Sequence, residues 1–104
     1  MTRLELRFVP HAVEQLNAAD AWWRENRDKA PGLFTNEFVD ALELLRGSPN
    51  LGAPYASDTL DGARRYLLRR TRFHIYYAVR DGTLVVAAVW NAIRGHGPCL
   101  DPLP

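Results

Sequence analysis

Residues 3 to 8, RLELRF, alternate strictly. Leu4, Leu6 and Phe8 point one way and Arg3, Glu5 and Arg7 the other, which predicts a half-buried strand. Pro10 then suits a helix start. Over residues 11 to 28, Val13, Leu16, Ala19 and Trp23 recur near helical spacing, the stripe of an amphipathic helix. KAPG at 29–32 breaks the chain. A second helix is expected from about Leu33 to Arg46, with Phe34, Phe38, Ala41, Leu42 and Leu45 as its stripe. Gly47 fits the position after its last turn and Pro49 prevents continuation. Two helices joined by so short a break predict a helical hairpin.

SPNLGAPYASDTLDG, residues 48 to 62, is turn-rich and reads as a loop. From Ala63 the period changes to two. Residues 64–70 predict one strand and 73–80 the next. Asp81-Gly82 is a hairpin turn signal, and Thr83 to Asn91 predict the last strand. The turn around Thr71 contains neither glycine nor proline, so nothing local fixes where it bends. The order is strand, helix, helix, strand, strand, strand (βααβββ). Helices grouped together and strands grouped together imply an α+β domain, an antiparallel sheet with the two-helix hairpin on one face. Residues 1–97 make a single domain, and prolines and glycines leave 98–104 an irregular tail.

The alternation also sorts the arginines. Phe73, Ile75, Tyr77 and Val79 share one face of their strand; Arg72, His74, Tyr76, Ala78 and Arg80 share the other. In the preceding strand Tyr66 and Leu68 join the first set, while Arg65, Leu67 and Arg69 face away. Arg64 and Arg70 are in phase with the core but sit at strand ends, where a long side chain reaches water. Two helices cover only one face. The other is expected to collect Arg65, Arg69, Arg72, His74, Tyr76 and Arg80 into an exposed basic patch. The last strand is apolar on both sides: Leu84, Val86, Ala88 and Trp90 alternate with Val85, Ala87 and Val89. Such a strand is covered on both faces, so either the tail from Pro98 to Leu103 folds back over it or a partner chain does. Adjacent Trp22 and Trp23 cannot both face one core. Trp23 fits the stripe, and Trp22 lies at the hairpin edge or anchors a partner.

Composition narrows the function classes. The chain has 104 residues and a formal charge of +1. Residues 1–50 carry 8 acids against 6 bases, and residues 51–104 carry 7 bases against 4 acids. Of 13 basic residues only Lys29 is lysine, and arginine suits forked binding of carboxylate or phosphate. Cys99 is the only cysteine, which excludes an internal disulfide, and no His/Cys/Asp/Glu spacing resembles a metal site. No cofactor is called for. With no signal-peptide pattern and no apolar run long enough to span a bilayer, a cytoplasmic protein is the simplest expectation.

The ordered set of pieces resembles the RelE/ParE superfamily of toxins from bacterial type II toxin–antitoxin modules. LELRFVPHA resembles the family's opening strand and helix entry, and SPNLGAP its turn after the second helix. The most specific part is RRYLLRRTRFHIYYAVRDGTLVVAAVWNAIRGHGP: an arginine-led strand, an aromatic-x-I-x-Y strand, a hairpin, and a strand ending in Arg-Gly-x-Gly-Pro, much like a ParE-type branch. The resemblance implies a toxin that inhibits DNA gyrase by binding it, and that is neutralised by a cognate, ParD-like antitoxin whose tail folds as it wraps the toxin. Operator DNA would be bound only through the antitoxin, and no membrane is involved. The alternatives are a RelE-like mRNA endonuclease and an inactive antitoxin-binding module. RelE-like enzymes carry an arginine beside the aromatic of the third strand, several lysines, and a late histidine or tyrosine. Here the arginine position reads His74, and the lysines are absent apart from Lys29. The reading therefore leans away from an enzyme. If the protein is a nuclease, Arg70, Arg72, His74, Arg94 and His96 are the candidate cations and proton carriers. The candidate target or antitoxin contacts are Arg65, Arg69, Arg72, His74, Tyr76, Arg80, Trp22, Val85, Val89, Asn91 and Arg94.

Overall fold

A computed structural model describes residues 3–93 and 96–101. The elements run β1 (Glu5–Phe8), α1 (Pro10–Asn26), α2 (Leu33–Gly47), a 3-10 turn (Pro49–Leu51), β2 (Ala53–Pro54), β3 (Arg64–Leu68), β4 (Phe73–Arg80) and β5 (Thr83–Asn91). This is an α+β domain with a five-stranded sheet ordered β1-β5-β4-β3-β2. Both helices pack on one face.

Pro10 opens α1, placing its missing N–H where no helical bond is lost. Ala12, Ala19 and Trp23 turn inward, whereas Val13 stays 40% exposed. Trp23 also ties down the break between the helices, because its indole N–H donates to the Ala30 carbonyl at 2.9 Å. Thr35 donates to Asp20 across the hairpin at 2.7 Å, and that bond, with help from Arg24, holds the Asp20 carboxyl below its ordinary range. α2 buries Phe34, Phe38, Ala41, Leu42 and Leu45. These meet Phe73, Ile75, Tyr77, Leu84, Val86 and Val89 from the sheet in the main core.

Four features depart from the expected plan. The sheet is antiparallel between β2, β3, β4 and β5, but β1 pairs parallel to β5. Alternation assigns a strand's faces, not its neighbour or direction. Secondly, the loop before β3 contains a short edge strand, with Ala53 opposite Arg65 and Pro54 opposite Arg64; a proline fits there because the position needs no ladder donor. It ends because the chain dips inward at Gly52. There the backbone N–H donates to the Tyr77 hydroxyl at 2.9 Å, and the same hydroxyl donates to the Pro49 carbonyl at 2.6 Å. A Cβ on Gly52 would lie 2.4 Å from that oxygen.

Thirdly, β5 carries a bulge. Tyr76 pairs with Ala88 but Tyr77 pairs with Val86, so Ala87 is the extra residue. Ala87 and Ala88 therefore both face away from the helices, and Val89 joins the helix-side core. Val89 was expected on the opposite face. Finally, β3 stops at Leu68, short of the expected end at residue 70, and the turn that follows is built without glycine. Arg72 adopts a left-handed φ of 65°. The Glu37 carboxylate on α2 accepts from the backbone N–H groups of Arg70 and Thr71 at 2.8 and 3.0 Å, and from the Thr71 hydroxyl at 2.7 Å. The β4–β5 turn needs no such help, because Asp81 and Gly82 supply φ values of 50° and 75°.

The face without helices is covered by the chain itself. Leu60 and Ala63 from the loop and Leu100 from the tail pack on Tyr76, Ala78, Ala87 and Ala88. Thr59 donates to the Leu100 carbonyl, and His11 pairs with Asp101 at 2.8 Å.

Candidate functional site

The strands deliver their side chains to a cleft at one end of this second face. Its volume is about 240 Å³, and Tyr55, Arg65, His74, Trp90 and His96 stand around it with Tyr76 at its floor. β3 and β4 pair so that Arg65 lies opposite Tyr76 and Leu67 opposite His74. β5 brings Trp90 opposite His74. The Arg65 guanidinium lies over the Tyr55 ring, 5.5 Å from its centroid. Tyr55 in turn stands edge-on to Tyr76 at 4.8 Å. The Trp90 indole N–H donates to the His96 carbonyl at 2.8 Å, which holds the segment after β5 against the strand.

The electrostatics are one-sided. Partial burial, and then the charges of Arg65 and Arg72, push the His74 pKa down, so its imidazole is neutral at neutral pH. Among the described residues, no carboxylate lies within ion-pairing distance of Arg65, Arg69, Arg70 or Arg72. A neutral imidazole can accept a proton or donate one hydrogen bond. Beside it, a guanidinium backed by aromatic rings can bind a carboxylate, a phosphate or a flat π surface. No group of three His, Cys, Asp or Glu among the described residues is placed to hold a metal ion, and no described helix is long and apolar enough to cross a membrane.

The predicted contact residues do not form one patch. Arg65 and His74 line the cleft, Asn91 reaches it from the end of β5, and His96 joins them. Arg72 is exposed and near enough to influence His74. Tyr76 is 1% exposed, so it is a floor beneath the others and not part of an open surface. Arg69 and Arg70 point to a different place, a groove between β3 and α2. Arg80 sits at the far end of β4, roughly 26 Å from Arg72 at strand spacing, where it donates to the Asp61 and Val79 carbonyls. Val85 is nearly covered at that same end, beside Arg7 and Pro10. Val89 is 3% exposed, and its backbone N–H donates to Gln15 of α1 at 2.8 Å. Neither valine offers the broad apolar surface expected of it. Trp22 is 44% exposed and lines a separate groove of about 290 Å³ between α1 and β5, with Arg27 stacked over it at 5.4 Å. Arg94 lies outside the described residues. Tyr55 and Trp90 were not foreseen as site residues. Tyr55 belongs to a loop with no period to read, and the bulge sets the side on which Trp90 emerges.

The fold has a solved counterpart. The chain superposes on a chain of the chromosomal ParDE TA system from P. aeruginosa with a TM-score of 0.63 and 20% identity, covering 86% of this chain and 96% of that one. No family model matches the sequence, and neither does any curated protein.

Proposed function

We propose that the protein is the toxin of a type II toxin–antitoxin module, ParE-like in action, which binds DNA gyrase and is neutralised by a ParD-like antitoxin. The observation that carries this reading is the fold shared with a chain of the ParDE system over nearly the whole of both chains. The cleft supports it in kind: arginines without carboxylate partners beside aromatic rings make a binding surface for an acidic or nucleic-acid-bearing target. The toxin acts in the cytoplasm, and operator DNA is reached only through the antitoxin.

Producing the protein alone should arrest growth and reduce negative supercoiling of a reporter plasmid while transcripts stay intact. Co-producing the small protein encoded beside it should restore growth. Harmless production would end the toxin reading.

A second reading, mRNA cleavage, is favoured by one observation: His74 and His96 line the same cleft with Arg65. It predicts transcript cleavage on induction, lost on His74→Ala or Arg72→Ala with supercoiling unchanged. Of the other nuclease candidates, Arg70 stands away from that cleft.

A further inference from the structure

We propose that this chain pairs with a second copy of itself along the outer edge of β1, the two strands running antiparallel about a two-fold axis at Leu6. The proposal does not rest on the toxin reading.

The first argument is where the backbone of β1 points. Glu5 donates its N–H to the Gly82 carbonyl at 3.0 Å, and Val9 to the Val86 carbonyl at 3.1 Å. Glu5, Arg7 and Val9 therefore direct their backbone groups to β5, and the residues between them direct theirs away from the sheet. Leu4 finds a partner there. Its N–H donates to the Arg46 carbonyl at 3.1 Å, and its carbonyl accepts from the Arg46 side chain at 2.7 Å. Leu6 and Phe8 have no such partner among the described residues. Because β1 is the end strand of the sheet, their outward groups form an open template.

Charge then says what the template fits. Glu5 and Arg7 are both exposed, alternating with the half-buried Leu6 and Phe8, and neither forms an ion pair among the described residues. With Leu6 opposite the second copy's Leu6, that central pair exchanges two backbone hydrogen bonds. The same register sets Glu5 opposite the second copy's Arg7, and Arg7 opposite its Glu5. Moving the axis by one residue would set Arg7 against Arg7 or Glu5 against Glu5, and like charges directly opposite are unfavourable. A lysine-bearing edge repels its own copy. This edge carries one acid and one base at the spacing that attracts it, and only in one register.

Nearby groups leave those charges available. Arg80 stands beside Arg7 at a groove of about 250 Å³, but its guanidinium is engaged by the Asp61 and Val79 carbonyls. Pairing would join two five-stranded sheets into one. The cleft lies around Trp90 and Asn91, whereas β1 ends opposite Val86, so both copies keep theirs open.

The test is sedimentation velocity of the full chain over a rising concentration series, with amide hydrogen exchange at the two ends of the series. The wild type should pass from monomer to dimer, and the Leu6 N–H should exchange at least about fivefold more slowly in the dimer. Glu5→Arg and Arg7→Glu each turn two attractive pairs into two repulsive ones, and each should raise the dimer Kd about tenfold or more. The double variant Glu5→Arg/Arg7→Glu restores both pairs and should return to within about threefold of wild type. That rescue separates pairing from a folding defect, which the second exchange would not repair. A wild type that stays monomeric up to about 1 mM overturns the proposal. So does a Leu6 amide that exchanges equally fast in the dimer, or a double variant that associates no better than the single ones.

Discussion

The two faces of the sheet are covered in different ways. On one, α1 and α2 press large side chains such as Phe34, Phe38 and Leu45 against Ile75, Tyr77 and Val86. On the other, Leu60, Ala63 and Leu100 cover Tyr76 and a floor of alanines, Ala78, Ala87 and Ala88. A helix presents a rigid stripe and can fill depth. A loop and a tail cannot, so the strands beneath them carry small residues and the cover stays thin. The difference teaches where binding can live. The thick face stabilises the domain, and the thin face leaves a cleft at its end.

Truncation should separate the two faces most clearly. Phe34→Ala removes a fully buried ring from the thick core and should cost about 3–5 kcal/mol in denaturant unfolding. Leu100→Ala strikes the thin cover and should cost less, about 2 kcal/mol. Equal losses would mean that the faces contribute alike, and the distinction would fail. Next comes the turn that links them. Glu37→Ala leaves two backbone donors and a hydroxyl at the β3–β4 turn to water, and should cost about 1–2 kcal/mol. An unchanged midpoint would show that the turn holds without α2.

The smallest effect is electrostatic and belongs to the cleft. His74 is held below its ordinary value by burial and then by Arg65 and Arg72. The unfolded chain therefore takes up a proton at a pH where the folded chain does not. The stability this contributes is complete above about pH 6.5 and is lost as pH falls through the lower folded value. Unfolding midpoints measured from pH 7 to pH 5 should fall for the wild type and fall less for His74→Gln. Parallel curves would mean that His74 titrates freely.

Much of the thick face was legible, because periodicity reports burial. The α2 stripe, the faces of β3 and β4, and the Asp81-Gly82 hairpin all follow from local pattern. What was not legible depends on partners distant in sequence. The bend at Thr71 has no local signal because its stabilising carboxylate, Glu37, comes from another element. The end of β2 is set by Tyr77, 25 residues from Gly52. The parallel direction of β1 leaves no trace in its own alternation. The site suffered most. A single basic patch was expected, but strand length separates Arg80 from Arg72, and the turn carries Arg69 and Arg70 around to α2. Alternation had placed Arg65, His74 and Tyr76 together correctly, but not that Tyr76 lies beneath Tyr55.

Ala87 gives β5 two reading frames. Before it, even-numbered positions meet the helices; after it, odd-numbered ones do. Deleting that one small residue would leave the hairpin and the pairing register intact, with Val89 still under the helices and Trp90 still on the other side, and would remove only the kink between Val86 and Ala88. A distant relative lacking the extra position would present the same wall at the cleft from a string of letters one shorter. An alignment gap of one residue here is therefore a lost bulge and not a change of face, whereas strict alternation read straight through Ala87 assigns Val89 and Trp90 to the wrong sides.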